Sequence, residues 1–371
     1  MKIGLNATCF NDRPSGANQR FVGIYTELIK QLPDAEFVIY EPSDFNISNW
    51  FDGAPNVSIR QTPIPSEGRI NKLIKGFGYW QSAIKDEKFD IFESFNLPAI
   101  KIPSGKVLHT IHDIRGMHPE WGSIFKYIKY KFTIEDMLKK SDRIITVSES
   151  MKNEILSFYP DASISVVYNG FNASVYDHVS ESDQQEFRMK YTLPSEFLLS
   201  VGHFEKRKNY LNLIDAVARL HDKDCPYNLL IIGNDSGEGK VMKEKIESMN
   251  LSSHVTILSG LTDLEVRCAY KLCSLFVFSS SYEGFGIPIL EAMAADSPMV
   301  LSDIPVFREI TEDQGVYFPY NDPDLIASAI DKVLLSDSEK NRLIQYGNKR
   351  VQNFSFQKLA MSIADVYKAL I

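Results

Sequence analysis

Cysteine is scarce: Cys9, Cys225, Cys268 and Cys273 are the only four in 371 residues, and their spacing matches no metal or redox motif. A disulfide-stapled scaffold is therefore excluded, and the thiols are expected to be reduced and mostly buried. Long apolar runs are missing too; none approaches the roughly eighteen residues that crossing a bilayer requires. The opening Met1-Lys2-Ile3-Gly4-Leu5-Asn6 lacks the apolar stretch of a signal peptide and predicts a first strand, so a cytoplasmic protein is expected. Positive charge is in deficit, 40 Lys and Arg against 48 Asp and Glu, which argues against a nucleic-acid partner held by bulk electrostatics. The deficit is uneven. Residues 1–180 carry 20 basic against 21 acidic side chains and residues 181–371 carry 20 against 27, so the first part is the better candidate to meet an anionic partner. No Gly-x-Gly-x-x-Gly opens a helix after the first strand, which disfavours a dinucleotide oxidoreductase. No Asp-x-Asp pair closes a strand either. The nearest, Asp322-Pro323-Asp324, lies in a late polar loop, and metal-independent chemistry is the better expectation.

What is present is ordinary for a soluble globular chain, 44% apolar and 24% charged, and long enough for two domains. Short β-rich runs alternate with helical stretches, the pattern of an α/β protein with parallel sheets. Strands are predicted at Phe37–Tyr40, Ile91–Ser94, Lys106–Thr110, Arg143–Val147 and Ile164–Tyr168. A second series runs through Phe197–Gly202, Leu229–Gly233, Val255–Leu258, Leu275–Phe278 and Met299–Ser302. The expected division is 1–175, a linker at 176–194, and 195–354, with a last helix at 355–371.

Two glutamates eight residues apart, Glu283 and Glu291, bracket the turn Gly284-Phe285-Gly286-Ile287-Pro288 after the strand Leu275–Phe278. Proline suits the first helical position, where its missing N–H has no intrahelical partner, so the segment predicts strand, glycine turn, helix. Backbone N–H groups and a helix dipole at such a turn form a natural seat for phosphate. Carboxylates are poorly suited to holding phosphate and fit hydroxyls of a sugar and a ribose better. The plainer account has Glu291 complementing the helix dipole and Glu283 solvated. Arg207 and Lys208 follow another strand and precede the helical pattern Leu211-Ile214-Ala218, near a helix N-terminus; as ordinary surface charges they would need no ligand. His109, His112 and His118 with Asp113 suggest a metal, but His109 should alternate to the opposite face of its strand. Two acid-free basic and aromatic stretches complete the inventory. One holds Arg69, Lys72, Lys75, Phe77, Tyr79, Trp80 and Lys85. The other holds Trp121, Phe125, Lys126, Tyr127, Lys129, Tyr130, Lys131 and Phe132. Each is either a half-buried helix, a sugar-stacking surface or a basic amphipathic element facing an anionic membrane on the acceptor side.

The run Tyr282-Glu283-Gly284-Phe285-Gly286-Ile287-Pro288-Ile289-Leu290-Glu291-Ala292-Met293 closely resembles the signature of family 4 retaining glycosyltransferases. Val201 to Asn209 resembles the donor-phosphate segment of that family. Leu229 to Gly239 is similar to its next strand and glycine loop, Thr110-Ile111-His112-Asp113 to its His-Asp segment, and Ser15-Gly16-Ala17 to its first glycine loop. The resemblance extends over essentially the whole chain. It implies a GT-B fold, two Rossmann-like domains with parallel sheets facing across a cleft, the last helix crossing back onto the first domain. It also implies a retaining hexosyltransferase with no cofactor or metal. Its donor would be a nucleotide-diphosphate sugar, with mannose from a guanosine donor favoured and uridine donors close behind. Its acceptor would be a glycan or lipid-linked saccharide. The two basic aromatic stretches add the expectation of peripheral contact at the inner membrane surface.

Residue by residue, Gly16, Arg207, Lys208, Glu283, Gly284, Phe285, Gly286, Ile287 and Glu291 would bind the donor. Among these Arg207 and Lys208 take the diphosphate, Glu283 the sugar and Glu291 the ribose. His112, Asp113, Glu283, Arg207 and Lys208 would serve catalysis. The sequence departs from the family at Ser15, where a second glycine is usual, at Lys206, usually proline, and at Asp296, commonly glycine. A non-catalytic nucleotide-sugar binding or assembly protein, or a GT-B epimerase, is the alternative.

Overall fold

The computed structural model describes the chain except for residues 13–14, 52, 96–98, 120–123 and 222–226 and the side chains of Arg69, Ile70, Leu73 and Phe77. Cys225, Trp121 and the side chains of Arg69 and Phe77, singled out above, lie outside the described residues. The chain divides into two compact units, Met1–Phe171 with Phe354–Ile371, and Asn172–Asn353.

In the first unit the strands are β1 (Lys2–Asn6), β2 (Glu36–Glu41), β3 (Val57–Gln61), β4 (Ile91–Ser94), β5 (Lys106–Ile111), β6 (Arg143–Thr146) and β7 (Ile164–Val166). Every pairing is parallel, in the order β3-β2-β1-β4-β5-β6-β7. The crossover helices are α1 (Gly16–Gln31), α2 (Arg69–Ala83), α3 (Ile124–Lys140) and α4 (Glu149–Phe158). Buried strands of a parallel sheet read as continuous apolar runs, and Phe37 to Tyr40 is fully buried. β3 has no such run; half-exposed at the sheet edge, it carries no strong strand signal in sequence.

The second unit opens with α5 (Glu181–Lys190), whose capping box joins Ser180 and Asp183. Residues 176–194 therefore do more than link: α5 packs on α8 (Asp263–Leu272), and Asn172 onward belongs to the second unit. Its strands are β8 (Phe197–Val201), β9 (Asn228–Ile232), β10 (Val255–Leu258), β11 (Leu275–Phe278), β12 (Met299–Ser302) and β13 (Val316–Phe318), parallel in the order β10-β9-β8-β11-β12-β13. The helices between and after them are α6 (Tyr210–His221), α7 (Gly239–Ser248), α9 (Ile287–Ala294), α10 (Pro305–Ile310), α11 (Pro323–Leu334) and α12 (Asp337–Val351). In each sheet the strand order reverses once, between β1 and β4 and between β8 and β11. Ligands of open parallel sheets bind at the carboxyl edge beside such a reversal.

The last helix, α13 (Phe356–Lys368), belongs with the first unit and packs on α1. Two glycines make room for its start. A Cβ on Gly23 or Gly170 would lie 2.4 or 2.2 Å from the Phe356 ring, far inside contact distance. At its other end the Tyr367 hydroxyl donates to Glu93 Oε2 of β4 at 2.6 Å, in full burial.

Candidate functional site

The reversal between β8 and β11 gathers the sequence-predicted residues of the second unit. After β8 the chain makes a tight turn at Lys206–Lys208, passes through Asn209 in the left-handed region at φ 60°, and enters α6. After β11 it runs Ser279 to Gly286 and enters α9. The two loops are stitched together: Ser281 N–H donates to the Arg207 carbonyl at 2.8 Å and Ser279 Oγ to the Lys208 carbonyl at 2.9 Å.

Four charges meet on this scaffold. Lys208 Nζ and Arg207 NH1 each stand 2.6 Å from Glu283 Oε1, which also accepts from Ser280 Oγ at 2.9 Å. Arg207 Nε donates to Glu205 Oε2 at 2.7 Å, and its NH1 reaches the Tyr282 carbonyl. Lys208 also stands over the face of Phe278, 4.7 Å from the ring centre. These are not solvated surface charges, since the Lys208 and Glu283 side chains are 7% and 11% exposed. Burial by itself would raise the Glu283 carboxyl, but Lys208 and then Arg207 outweigh it and hold the group below its ordinary range. Burial pulls the Lys208 ammonium down; Glu283 opposes the shift and Arg207 adds to it. Burial also works against Arg207, yet Glu283 and Glu205 keep it firmly charged. Lys206, the third cation of the run, is exposed to water.

Gly286 sits at φ 117° immediately before α9, a backbone conformation that requires glycine, and a Cβ there would crowd the Phe307 ring at 3.1 Å. Ile287 takes the first helical position and Pro288 the second, one residue later than expected; the first-turn N–H groups lack intrahelical partners at either place. Of the predicted donor-binding residues here, Phe285 and Gly286 are buried while Gly284 and Ile287 are partly exposed. Glu291 is the fifth residue of α9, beyond the first turn where the sequence pattern put it, so dipole complementation does not explain it. Its Oε2 accepts from the Tyr270 hydroxyl at 2.8 Å, and burial raises its carboxyl above the usual range.

The first unit carries the remaining predicted residues. Ser15, in extended backbone, caps α1 by accepting from Asn18 N–H at 3.1 Å. A serine cap here explains why no glycine stands at that position. Gly16 is the first residue of α1. Arg20 turns away from this loop and is buried, its NH1 donating to the Val167 carbonyl at 3.0 Å. His112 and Asp113 leave the carboxyl end of β5. Burial, with a contribution from Arg20, pushes the His112 imidazole down to about 3, so it is neutral at physiological pH. Asp113 is exposed and accepts from Arg115 N–H at 3.1 Å, while Tyr130 of α3 donates to its carbonyl at 3.2 Å. His109 and His118 go elsewhere, to Ser141 and to Glu154 at 2.6 Å. Among the described residues no group of three or more His, Cys, Asp or Glu is placed to hold a metal ion.

Sequence reasoning missed three partners. Glu205 and Ser280 lay inside motifs already singled out, so proximity could have suggested them. Tyr270 carries no signal beyond a position on an amphipathic helix.

Residues 16–175 match the family described as Glycosyltransferase Family 4, and residues 183–350 match Glycosyl transferases group 1. The chain is 29% identical over 227 residues to the O-antigen chain mannosyltransferase RfbU of Salmonella typhimurium, a match covering 60% of this chain and 60% of that protein. It is 28% identical over 356 residues to an uncharacterized glycosyltransferase of Methanocaldococcus jannaschii, covering 92% of each. Among solved structures, Anabaena HepE, crystallised with UDP and glucose, superposes with a TM-score of 0.74 over all of both chains at 19% identity. That likeness extends the two-sheet fold to the GT-B architecture. With a family 4 domain followed by a group 1 domain, together spanning most of its length, the chain belongs to the glycosyltransferases of the family 4 type.

Proposed function

We propose that this glycosyltransferase moves a hexose from a nucleoside-diphosphate sugar to a hydroxyl of a saccharide or lipid-linked glycan, with retention at the anomeric carbon and without a metal ion. The observation that carries the reading is the single Glu283 carboxylate oxygen shared by Arg207 and Lys208 at the β8/β11 reversal. A diphosphate arriving there exchanges one anion for another. The two cations turn to the phosphates, and Glu283 is released toward the sugar hydroxyls. Charge-assisted bonds of this kind are worth about 1.5–3 kcal/mol each, and groups aimed at the developing charge contribute about a hundredfold to a thousandfold in rate. Arg207 and Lys208 thus supply the positive charge that leaving-group departure requires. Glu291, oriented by Tyr270, takes the ribose hydroxyls. Gly16, at the head of α1, lies against the diphosphate. His112, held neutral, hydrogen-bonds a sugar hydroxyl rather than acting as a cation, and Asp113 orients it or binds acceptor. Retention follows from attack on the face that the diphosphate leaves, with a departing phosphate oxygen taking the acceptor proton.

Mannose is the favoured sugar, supported by the mannosyltransferase name of the Salmonella relative; UDP in Anabaena HepE keeps uridine donors in view. The test is incubation with GDP-mannose and UDP-glucose, with and without a mannose-terminated acceptor. Nucleoside diphosphate should be released only with acceptor, the product should keep the donor's anomeric configuration by NMR, and EDTA should leave the rate unchanged. Release without acceptor, inversion, or loss of rate with EDTA would each remove the corresponding part of the reading.

A further inference from the structure

Three consecutive residues of the turn after β8 have their backbones or side chains held from outside the turn. The Arg207 carbonyl accepts from both Ser281 N–H and Ser281 Oγ, and the Lys208 carbonyl from Ser279 Oγ, all on the loop after β11. Asn209 is held from elsewhere, by the loop between β13 and α11. Its Nδ2 donates to the Tyr320 carbonyl, and its Oδ1 accepts from Asn212 Nδ2 at 2.8 Å. Asn212 Nδ2 also reaches that Tyr320 carbonyl, at 3.2 Å, which closes a triangle of three partners. The Asn209 main chain is engaged as well. Its N–H closes the tight turn on the Lys206 carbonyl at 3.1 Å, and its carbonyl accepts from Leu213 N–H at 3.4 Å at the head of α6.

At φ 60° and ψ 32° glycine is the least strained residue and asparagine among the next. Thr192, Asn250, Asp296, Glu312 and Asp313 also have positive φ, but none lies in the loops that carry Arg207, Lys208 and Glu283. Glycine at position 209 would serve the turn and leave the Tyr320 loop unfastened. Aspartate would suit the backbone, but a carboxylate cannot donate to a carbonyl. The amide of asparagine meets both demands. We propose that Asn209 is a positioning residue for sugar transfer, fixing the Arg207–Lys208 turn against the loop after β13 so that both cations stay aimed at the leaving diphosphate. The inference rests on the roles given above to Arg207 and Lys208. Asn209 acts through these two neighbours and not on the substrate. Its effect is on aim, and a misplacement of about 1 Å can cost about a hundredfold in rate.

The experiment compares Asn209→Gly, Asn209→Ala and Asn212→Ala with the wild type and Arg207→Ala, using whichever of GDP-mannose and UDP-glucose the wild type turns over. Asn209→Gly keeps the left-handed backbone and loses both side-chain bonds. It should lower kcat at least about tenfold, with donor KM changed less than about threefold and thermal unfolding unchanged. Asn209→Ala adds backbone strain, so its kcat should be no higher and it should unfold at a lower temperature. Asn212→Ala leaves the bond from Asn209 to Tyr320 in place and should lower kcat only about threefold. Wild-type kcat in Asn209→Gly, with any loss confined to KM or to unfolding temperature, would overturn the proposal and leave Asn209 a turn residue. Arg207→Ala separates this failure from a deeper one. Normal turnover in Arg207→Ala would remove the reading of the cations and this inference with it; impaired Arg207→Ala beside normal Asn209→Gly would remove the inference alone.

Discussion

Each unit buries a glutamate against its sheet, but with different company. In the first, Glu93 lies wholly within the core, bonded at 2.6 Å by the hydroxyls of Thr110 and Tyr367, and burial raises its carboxyl. In the second, Glu283 lies at the carboxyl edge between Lys208 and Arg207, and its carboxyl is held down. Hydroxyl partners make a buried carboxyl a fastening for the last helix; cationic partners keep it an anion that can be exchanged for another. The same side chain is pushed toward its neutral form in one unit and held as an anion in the other because of what faces it.

The sharpest way to break the comparison is Arg207→Ala. Lys208 still balances Glu283 in that variant, so the fold should survive, with unfolding temperature changed little, while turnover falls at least about a hundredfold. Near-normal turnover would remove the account of leaving-group stabilisation. Glu283→Gln separates the two roles given to that residue. Turnover should drop about a hundredfold, yet calorimetry should show nucleoside diphosphate bound at least as tightly as by the wild type, because the internal competitor is gone. Weaker diphosphate binding would mean that the carboxylate organises the cations rather than competing for them.

In the first unit the effects should fall on stability. Tyr367→Phe leaves a buried carboxyl oxygen without its donor and should cost about 1–3 kcal/mol in denaturant unfolding. An unchanged midpoint would show that the bond does not fasten α13. The smallest effect concerns pH. His112 titrates near 3 folded but near its ordinary value unfolded, so between those values the unfolded chain binds the extra proton. Stability should therefore decline as pH falls from about 6.5 toward 3, less steeply in His112→Asn, whose side chain does not titrate. Parallel pH profiles for the two proteins would contradict a neutral imidazole in the folded chain.

Much of this was legible in the residues. Buried parallel strands announce themselves as apolar runs, and the glutamate-bracketed turn specifies its own glycine, proline and helix. Edge strands were harder: β3 is half-exposed and β13 has three residues, too short a run to stand out. The Ser180–Asp183 capping box was in plain sequence but reads as polar linker until α5 is seen against α8.

The sequence by itself determined the element types, the turn geometry and the family, because these depend on neighbours along the chain. Only the tertiary structure decided that Glu283 lies between Arg207 and Lys208, the latter 75 residues away, that Tyr270 steadies Glu291, and that Arg20 faces inward. It also left Phe125 and Phe132 in water while Tyr79 and Trp80 packed. The reason is physical: burial and charge pairing are set by what the sheet order brings alongside, and no local pattern encodes that.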